Sequence, residues 1–137
     1  MKRKLFKLLT GVLLSCTLAG SAVMVQAEEN QETTVKSYLT GEDVSQSVGR
    51  RRPIAVMLGN DADGAPQSGT ENAGVIYEAP VEGSITRLMA IIEDYDNLPR
   101  IGSVRSCRDY FLFYANEYDA IYSHYGQAVY ALQYQDQ

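Results

Sequence analysis

Residues 53–58 read Pro-Ile-Ala-Val-Met-Leu, an unbroken apolar run that is followed directly by Gly59. A run of this length, bounded by residues that interrupt regular structure, is typical of a buried strand. The stretch after it, residues 59–74, is made of loop-forming residues, among them Asn60, Asp61, Asp63, Gly64, Pro66, Ser68 and Gly69. Because Asn, Asp, Gly and Pro favour turns, we predict a buried strand followed by a long loop.

Further strands and helices are predicted beyond that loop. Two β-prone segments, Val75–Val81 and Ile85–Ile92, flank a turn at residues 82–84 and predict a hairpin. After a second turn at residues 94–99, the pattern predicts a helix, a strand and a helix, at Ser106–Glu117, Asp119–Ser123 and Gln127–Tyr134. This order indicates α/β or α+β packing, with short strands and one or two packed helices. The last predicted helix has no stop signal, so we expect the N-terminal part of a larger protein.

The first residues have the pattern of a secretory signal peptide, predicted at residues 1–27. A basic segment at residues 1–7 precedes an apolar one at residues 8–25, and Val25-Gln26-Ala27 fits the small-x-small rule of a cleavage site. The apolar stretch is also long enough for a permanent transmembrane anchor. We favour cleavage after Ala27, because the stretch ends in a sequence that resembles a cleavage site.

A second form of export is suggested by Leu13-Leu14-Ser15-Cys16, which resembles a lipobox. In that alternative Cys16 would carry the lipid and would anchor the domain at the outer face of the membrane. Residues 28–36 are polar and are predicted to be a linker, and residues 37–52 an irregular lead-in.

Composition and charge exclude several classes of protein. The chain has 137 residues and a net charge of −5, although the first seven residues carry four basic side chains and no acid. An acidic chain does not suit a nonspecific nucleic-acid binder. A hydrophobic content of 45% excludes a disordered chain, and two cysteines cannot build a disulfide-stapled miniature fold. After cleavage at Ala27, Cys107 would be the remaining thiol, and its apolar neighbours predict that it is buried.

Several segments in series resemble the YerB-like family of bacterial lipoproteins, from about Ser37 to Gln127. They are Ser-Tyr-Leu-Thr-Gly (37–41), Arg-Arg-Pro-Ile-Ala-Val-Met (51–57) ending in Asn60, Pro-Gln-Ser-Gly (66–69), Val-Ile-Tyr-Glu (75–78), Glu-Gly-Ser-Ile-Thr-Arg (82–87), Ile-Gly-Ser-Val-Arg-Ser-Cys-Arg-Asp-Tyr (101–110) and Asp-Ala-Ile-Tyr-Ser-His-Tyr-Gly (119–126). The resemblance implies that residues 37–137 are an N-terminal domain of uncharacterised function, cut short at its C-terminal end. It also implies an envelope-facing protein, often lipid-anchored, and no established reaction.

An arginine-rich turn gives the sharpest local signal for a binding site. Ser106 and Asp109 approximate a capping box, which would make Ser106 the N-cap of a helix. Arg105 and Arg108 would then lie at the positive end of the helix dipole, where cations are unfavourable unless an anion compensates them. We predict an anion site formed by Arg105, Ser106, Arg108 and backbone amides, which Arg87 could join.

Internal pairing is the alternative for these arginines. Glu78, Glu82 or Asp109 could neutralise them as ion pairs that hold the fold together. The chain from Glu28 onwards is rich in arginine rather than lysine, and arginine suits both carboxylate and phosphate ligands and internal salt bridges. The composition therefore supports both interpretations.

Tyrosines are concentrated in the C-terminal third of the chain. Tyr110, Tyr114 and Tyr118 are spaced four residues apart and would share one helix face. Such a stripe could stack on sugar rings, because tyrosine has a large amphipathic face. Packing in the core or against a further domain is the alternative that we favour.

His124 follows a predicted strand and is the one histidine of the chain. It could be a hydrogen-bonded structural residue, a binding residue or, with Glu82 or Glu78, part of an acid–base pair. One histidine and one thiol do not supply a zinc site without added carboxylates, so we expect no metal. The chain has no P-loop pattern, and we expect no cofactor.

These features lead to three hypotheses for an extracytoplasmic protein. The first is a noncatalytic module that binds an anionic cell-wall polymer or an envelope protein through Arg87, Arg105, Ser106 and Arg108, with Tyr110, His124 and Glu82 nearby. The second is an enzyme that acts on cell-wall material with His124 and Glu82 as acid–base groups. The third is a structural interaction domain. We favour the noncatalytic hypotheses, with no nucleic acid as partner and with membrane contact only through the signal or a lipid anchor.

Overall fold

The computed structural model describes residues 33–134. The predicted signal peptide, the lipobox cysteine Cys16, most of the predicted linker and residues 135–137 lie outside the described residues. The elements of the described part are β1 (Thr34–Lys36), β2 (Asp43–Ser45), α1 (Gln46–Gly49), β3 (Ile54–Gly59), β4 (Val75–Pro80), β5 (Thr86–Ile92), α2 (Asp109–Glu117) and β6 (Ile121–Ser123), with 3₁₀ turns at Thr70–Asn72, Glu82–Ser84 and Val129–Tyr134.

The main sheet has the strand order β4-β5-β3-β6. β5 pairs antiparallel with both β4 and β3, whereas β6 pairs parallel with β3. The turn at residues 82–84 joins β4 to β5, which confirms the predicted hairpin. A parallel pair needs a long crossover connection, and α2 lies within the one between β3 and β6.

β3 is apolar along its whole length because both faces of the sheet are covered. On one face Ala55 and Met57 pack with Phe111 and Ala115 of α2. On the other face Val56 and Leu58 pack beneath the loop that follows β5, which contributes apolar side chains including Leu98 and Val104. Strands buried on both faces lose the alternation of polar and apolar residues, which explains the unbroken run at residues 53–58.

One edge of β3 is completed by two separate segments. β6 pairs with its first half, in the register Ile54 to Ile121. The second half is bridged antiparallel by Val104, where the amide of Arg105 donates to the carbonyl of Met57 at 2.9 Å. The chain that bears the predicted arginine turn is therefore fixed to the sheet by backbone hydrogen bonds.

The predictions for the N-terminal part of the domain were wrong in two places. Residues 34–36, predicted as linker, form β1 and pair with β2 inside the predicted irregular lead-in, and α1 follows directly after β2. The hairpin formed by β1 and β2 is fixed to the main sheet by Glu93, which follows β5. Glu93 accepts hydrogen bonds from the Ser37 hydroxyl and from the amide of Tyr38, just after β1. Long-range contacts of this kind are not visible in a local pattern.

The two predicted C-terminal helices also required correction. The first begins at Asp109, three residues later than predicted, because Ser106 and Cys107 form hydrogen bonds with other parts of the chain instead of helical ones. The second is a 3₁₀ turn at Val129–Tyr134. Within residues 33–134, no helix has the length and apolar character that crossing a bilayer requires. The mixed architecture of short strands and few helices agrees with the predicted fold class.

Candidate functional site

The predicted site residues converge at one end of the main sheet. Because β3 and β6 run parallel, their carboxyl ends lie at the same end of the sheet. Arg87 is the second residue of β5 and is paired with Gly59, the last residue of β3. The segment at residues 105–107 joins this end through backbone hydrogen bonds to Tyr125 and Gly126, just after β6. The carboxyl ends of parallel strands are a common place for ligand sites in α/β proteins.

Arg108 is held by Glu82 in a close ion pair. Its Nε donates to both carboxylate oxygens of Glu82, at 3.0 and 2.9 Å, and the Tyr130 hydroxyl donates to Oε1. Hydrogen bonds from Arg108, and then from Tyr130, lower the pKa of Glu82 to about 2. The side chain of Arg108 is 11% exposed, whereas that of Glu82 is 58% exposed. These contacts favour the internal-pairing alternative for Arg108.

Arg87 is a buried cation without a carboxylate partner. It is 8% exposed, and its Nη1 donates to the main-chain carbonyl of Ser106 at 2.7 Å. No salt bridge to Arg87 is found among residues 33–134. Burial lowers the pKa of Arg87, and the positive charge of Arg108 lowers it further. A charge in this environment is unfavourable unless a counter-charge is near, and Glu82 supplies only part of one.

Arg105 is the most accessible of the three arginines. Its side chain is 33% exposed, and its Nη2 lies 3.6 Å from an oxygen of Asp61, a looser contact than that of Arg108. Its Nε also lies 3.0 Å from the position that a Cβ would occupy on Gly59. The absence of a side chain at residue 59 therefore leaves room for this guanidinium beside the end of β3.

Ser106 does not cap the helix, so the prediction of a capping box was wrong. The N-cap of α2 is Arg108, and it makes no side-chain capping hydrogen bond. The carbonyl of Ser106 accepts from Arg87, and its hydroxyl is the nearest atom, at 3.0 Å, to a Cβ placed on Gly126. The residue therefore contributes to the site through its backbone. Arg105 lies well before the helix, not beside its free amides.

His124 lies directly after β6, as predicted, and next to the arginine segment. Its Nδ1 is 2.8 Å from the carbonyl of Gly126, which places the proton on that nitrogen as the donor. Its ring is 5.3 Å from that of Tyr122, a partly buried residue whose pKa is raised by burial. Because the Glu82 carboxylate is ionised and already bound by Arg108 and Tyr130, an acid–base pair of His124 and Glu82 is disfavoured.

The tyrosine stripe packs against the sheet. Tyr114 stacks on Tyr77 of β4, with ring centroids 4.8 Å apart and planes 8° from parallel, and the hydroxyls of Tyr77 and Tyr118 are 3.0 Å apart. Tyr110 donates its hydroxyl to the carbonyl of Pro80 at 2.6 Å. The three tyrosines flank the core cluster around Phe111. The contacts therefore support packing rather than glycan stacking for this face.

A polar network beside the arginines was missed from the sequence. Asn60 donates to Glu78 at 3.1 Å and to Thr86 at 2.7 Å, and Gln67 donates to the carbonyl of Gly59 at 2.9 Å. The buried hydroxyl of Ser103 has no hydrogen-bond partner within residues 33–134. Asn60 and Gln67 lay in segments that resemble the family, but their spacing alone gave no indication of a shared contact.

The arrangement places guanidinium groups at and just below one end of the main sheet. Arg105 presents a guanidinium at the surface, with Arg87 behind it, and guanidinium groups suit carboxylate and phosphate. No cluster of three or more His, Cys, Asp and Glu residues with metal-binding geometry occurs in the described part of the chain. Cys107, predicted to be buried, is fully buried and free.

Comparison with known proteins identifies a family. The "Putative lipoprotein YerB" of Bacillus subtilis (strain 168) is 42% identical over 93 residues, which cover 67% of this chain and 28% of that protein. A crystal structure of the YerB protein from Bacillus subtilis matches with a TM-score of 0.70 and 38% identity, over 74% of this chain and 35% of the other. The chain therefore spans about a third or less of the length of these relatives.

A family model also matches most of the domain. Residues 39–137 match the model described as the N-terminal domain of a protein of unknown function, DUF3048. This range contains every strand of the main sheet and all the predicted ligand-binding residues. The resemblance noted from the sequence motifs is thereby confirmed, and the chain belongs to the DUF3048 family through its N-terminal domain.

Proposed function

We propose that this domain is an extracytoplasmic, noncatalytic module that binds an anionic group of the cell wall through Arg105, with Arg87 behind it. The lipoprotein name of the Bacillus relative and the signal-like first residues support a location outside the cytoplasmic membrane. Family membership supports no particular reaction, since the matching domain is described as one of unknown function. The proposal for binding therefore depends on the geometry of the arginines.

The buried guanidinium of Arg87 is the observation that carries the proposal. Arg108 has Glu82 and Arg105 has Asp61, but Arg87 has a backbone carbonyl as its hydrogen-bond partner. Two other arginines lie close enough to lower its pKa. An anion seated at Arg105 would add a negative charge near Arg87 and would reduce the repulsion among the three cations.

The expected ligand is a phosphate or carboxylate carried by a wall polymer. Arg105 would be the direct contact, because its pairing with Asp61 is long and its side chain is partly exposed. Arg108 would hold Glu82 in place through their ion pair and would not touch the ligand. A charge-assisted contact of this kind contributes about 1.5–3 kcal/mol.

Co-sedimentation of the purified protein with isolated cell-wall sacculi tests this proposal. Arg105→Ala is the main variant, because the amide and carbonyl that Arg105 uses to join the sheet and Tyr125 remain in place. Arg100→Ala is the matched control, since Arg100 is exposed and has no ion pair among the described residues. We expect binding to weaken about tenfold or more in Arg105→Ala, to be unchanged in Arg100→Ala and to fall with added salt.

Two further arms separate the alternatives. Sacculi stripped of phosphodiester polymers should no longer bind the protein if the ligand is a phosphate. They should still bind it if the ligand is a carboxylate. Soluble wall fragments released in the same tube would instead support the enzyme hypothesis, with His124→Ala as the next variant. Equal binding by Arg105→Ala and the unmodified protein would contradict the proposal.

A structural interaction domain is the second candidate, and exposed apolar side chains favour it. Val129 is 84% exposed and Tyr125 is 81% exposed, and Leu132 is 45% exposed on the same C-terminal segment. A cluster of exposed apolar residues often marks a protein contact. A photo-crosslinking residue introduced at position 129 would form a discrete protein adduct in cells if this candidate is correct, and none if the segment faces solvent.

A further inference from the structure

A cleft of about 280 Å³ lies at the opposite end of the main sheet from the arginine site. It is formed by Pro53, just before β3, and Glu93, just after β5, with Tyr38 and Tyr118 on its walls. Small-molecule sites usually begin at about 300 Å³. The cleft therefore has the size for one ring of a larger molecule.

The backbone that carries Tyr38 is anchored to Glu93 by hydrogen bonds. The carboxylate of Glu93, which is 8% exposed, accepts hydrogen bonds from the Ser37 hydroxyl and from the Tyr38 amide at 2.9 Å. The Tyr38 ring meets the ring of Tyr118 edge-on, with centroids 6.5 Å apart. Tyr38 is nevertheless 75% exposed. An exposed aromatic ring on an anchored stretch of backbone is a suitable surface for stacking a flat or sugar ring.

Two of the three arginines that line the cleft are paired with carboxylates. Arg51 pairs with Asp96 at 2.6 Å and lies over the ring of Tyr95, and Arg52 pairs with Asp119 at 3.1 Å. Arg50, the first of the three consecutive arginines, is exposed, and its side chain forms no hydrogen bond or ion pair with any residue of the range 33–134. A cation is thus available on the lining of the cleft that bears the exposed tyrosine.

We propose that this cleft binds a single sugar ring that carries an anionic substituent, with the ring stacked on Tyr38 and the anion at Arg50. A sugar ring presents C–H groups that pack on an aromatic face, and an arginine binds carboxylate or phosphate. The residues differ from those of the Arg105 site, so each site can be present without the other. On an anionic glycan, the two ends of the sheet would provide two points of contact.

Chemical-shift mapping on the isotopically labelled protein tests the proposal with three probes. N-acetylmuramic acid supplies a carboxylate, N-acetylglucosamine 6-phosphate supplies a phosphate, and N-acetylglucosamine is the neutral control. We expect saturable shifts at Tyr38 and Arg50 with a Kd of about 1 mM for an anionic sugar. The neutral sugar is expected to bind about fivefold more weakly, as an exposed ion pair allows.

Variants distinguish stacking from charge. Arg50→Ala should remove the preference for the anionic sugars and leave neutral binding unchanged, whereas Tyr38→Ala should abolish binding of all three. Both side chains are exposed, so both variants should remain folded, which circular dichroism would verify. Arg100→Ala should behave as the unmodified protein does. Shifts that map elsewhere, equal affinity for the neutral sugar, or no saturation by about 10 mM would overturn the proposal.

Discussion

Replacing Glu82 by glutamine removes the negative charge at Arg108 and Tyr130 while keeping the size of the side chain. Arg108 is nearly buried and would lose its carboxylate, whereas Glu82 itself is 58% exposed. Removing one partner of a buried pair costs about 3–5 kcal/mol, and an exposed pair contributes about 0–1 kcal/mol. Since this pair is half-exposed, we expect Glu82→Gln to lower the free energy of unfolding by about 2 kcal/mol.

The pH dependence has a definite sign. The pKa of Glu82 is lowered from 4.5 to about 2 in the folded protein, first through its hydrogen bonds with Arg108. A carboxylate with a lowered pKa stabilises the fold fully above its unfolded pKa and loses that contribution as the pH falls through the folded value. The stability difference between the unmodified protein and Glu82→Gln should therefore be constant above about pH 5 and should shrink towards about pH 2.

Urea unfolding followed by far-ultraviolet circular dichroism measures this difference at several pH values. Glu71→Gln is the matched control, because Glu71 is exposed in a 3₁₀ turn and forms no ion pair with the described residues. It should change stability by less than about 0.5 kcal/mol. A Glu82→Gln effect equal to that of the control, or one that does not decrease on acidification, would refute the argument that Glu82 neutralises Arg108.

Two further predictions concern the core. Phe111→Ala should destabilise the fold by about 3–5 kcal/mol, because Phe111 of α2 is fully buried against β3 and β5. Phe113→Ala, at a position 51% exposed, should cost less than about 1 kcal/mol, and comparable effects of the two variants in thermal unfolding would contradict the packing described. Cys107 has no exposed surface, so a maleimide should label it only after unfolding, as read by mass spectrometry of its peptide, and rapid labelling of the native protein would be inconsistent with its burial.

The strands of the main sheet were predictable because their signals are local. The apolar run at residues 53–58 and the hairpin around residues 82–84 each lie within a few residues of chain. The hairpin of β1 and β2 was missed because its strands are three residues long and polar, and because its anchor, Glu93, is distant in sequence. Its stability depends on tertiary contacts, which propensity does not contain.

The proximity of the candidate arginines was predictable from the sequence, but the partner of each arginine was not. Arg87, Arg105 and Arg108 do meet, together with Glu82, as the sequence suggested. The roles changed because the helix begins at Asp109 rather than at Ser106. The carbonyl of Ser106 is bound by Arg87, and the amide of Cys107 donates to Gly126, so neither residue is available for a helical cap. Competition from long-range hydrogen bonds overrode a local capping signal.

The shared edge of β3 has a consequence for the order in which the chain can fold during synthesis. On this edge Ile54 pairs with Ile121, and Leu58 pairs with Val104. The edge therefore stays unpaired until more than half of the domain has left the ribosome. Contacts between such distant residues are slow to form, because a long loop must close before they are gained. This edge of β3 should therefore remain incomplete until residues 121–123 have left the ribosome, although β3, β4 and β5 can pair with one another before then.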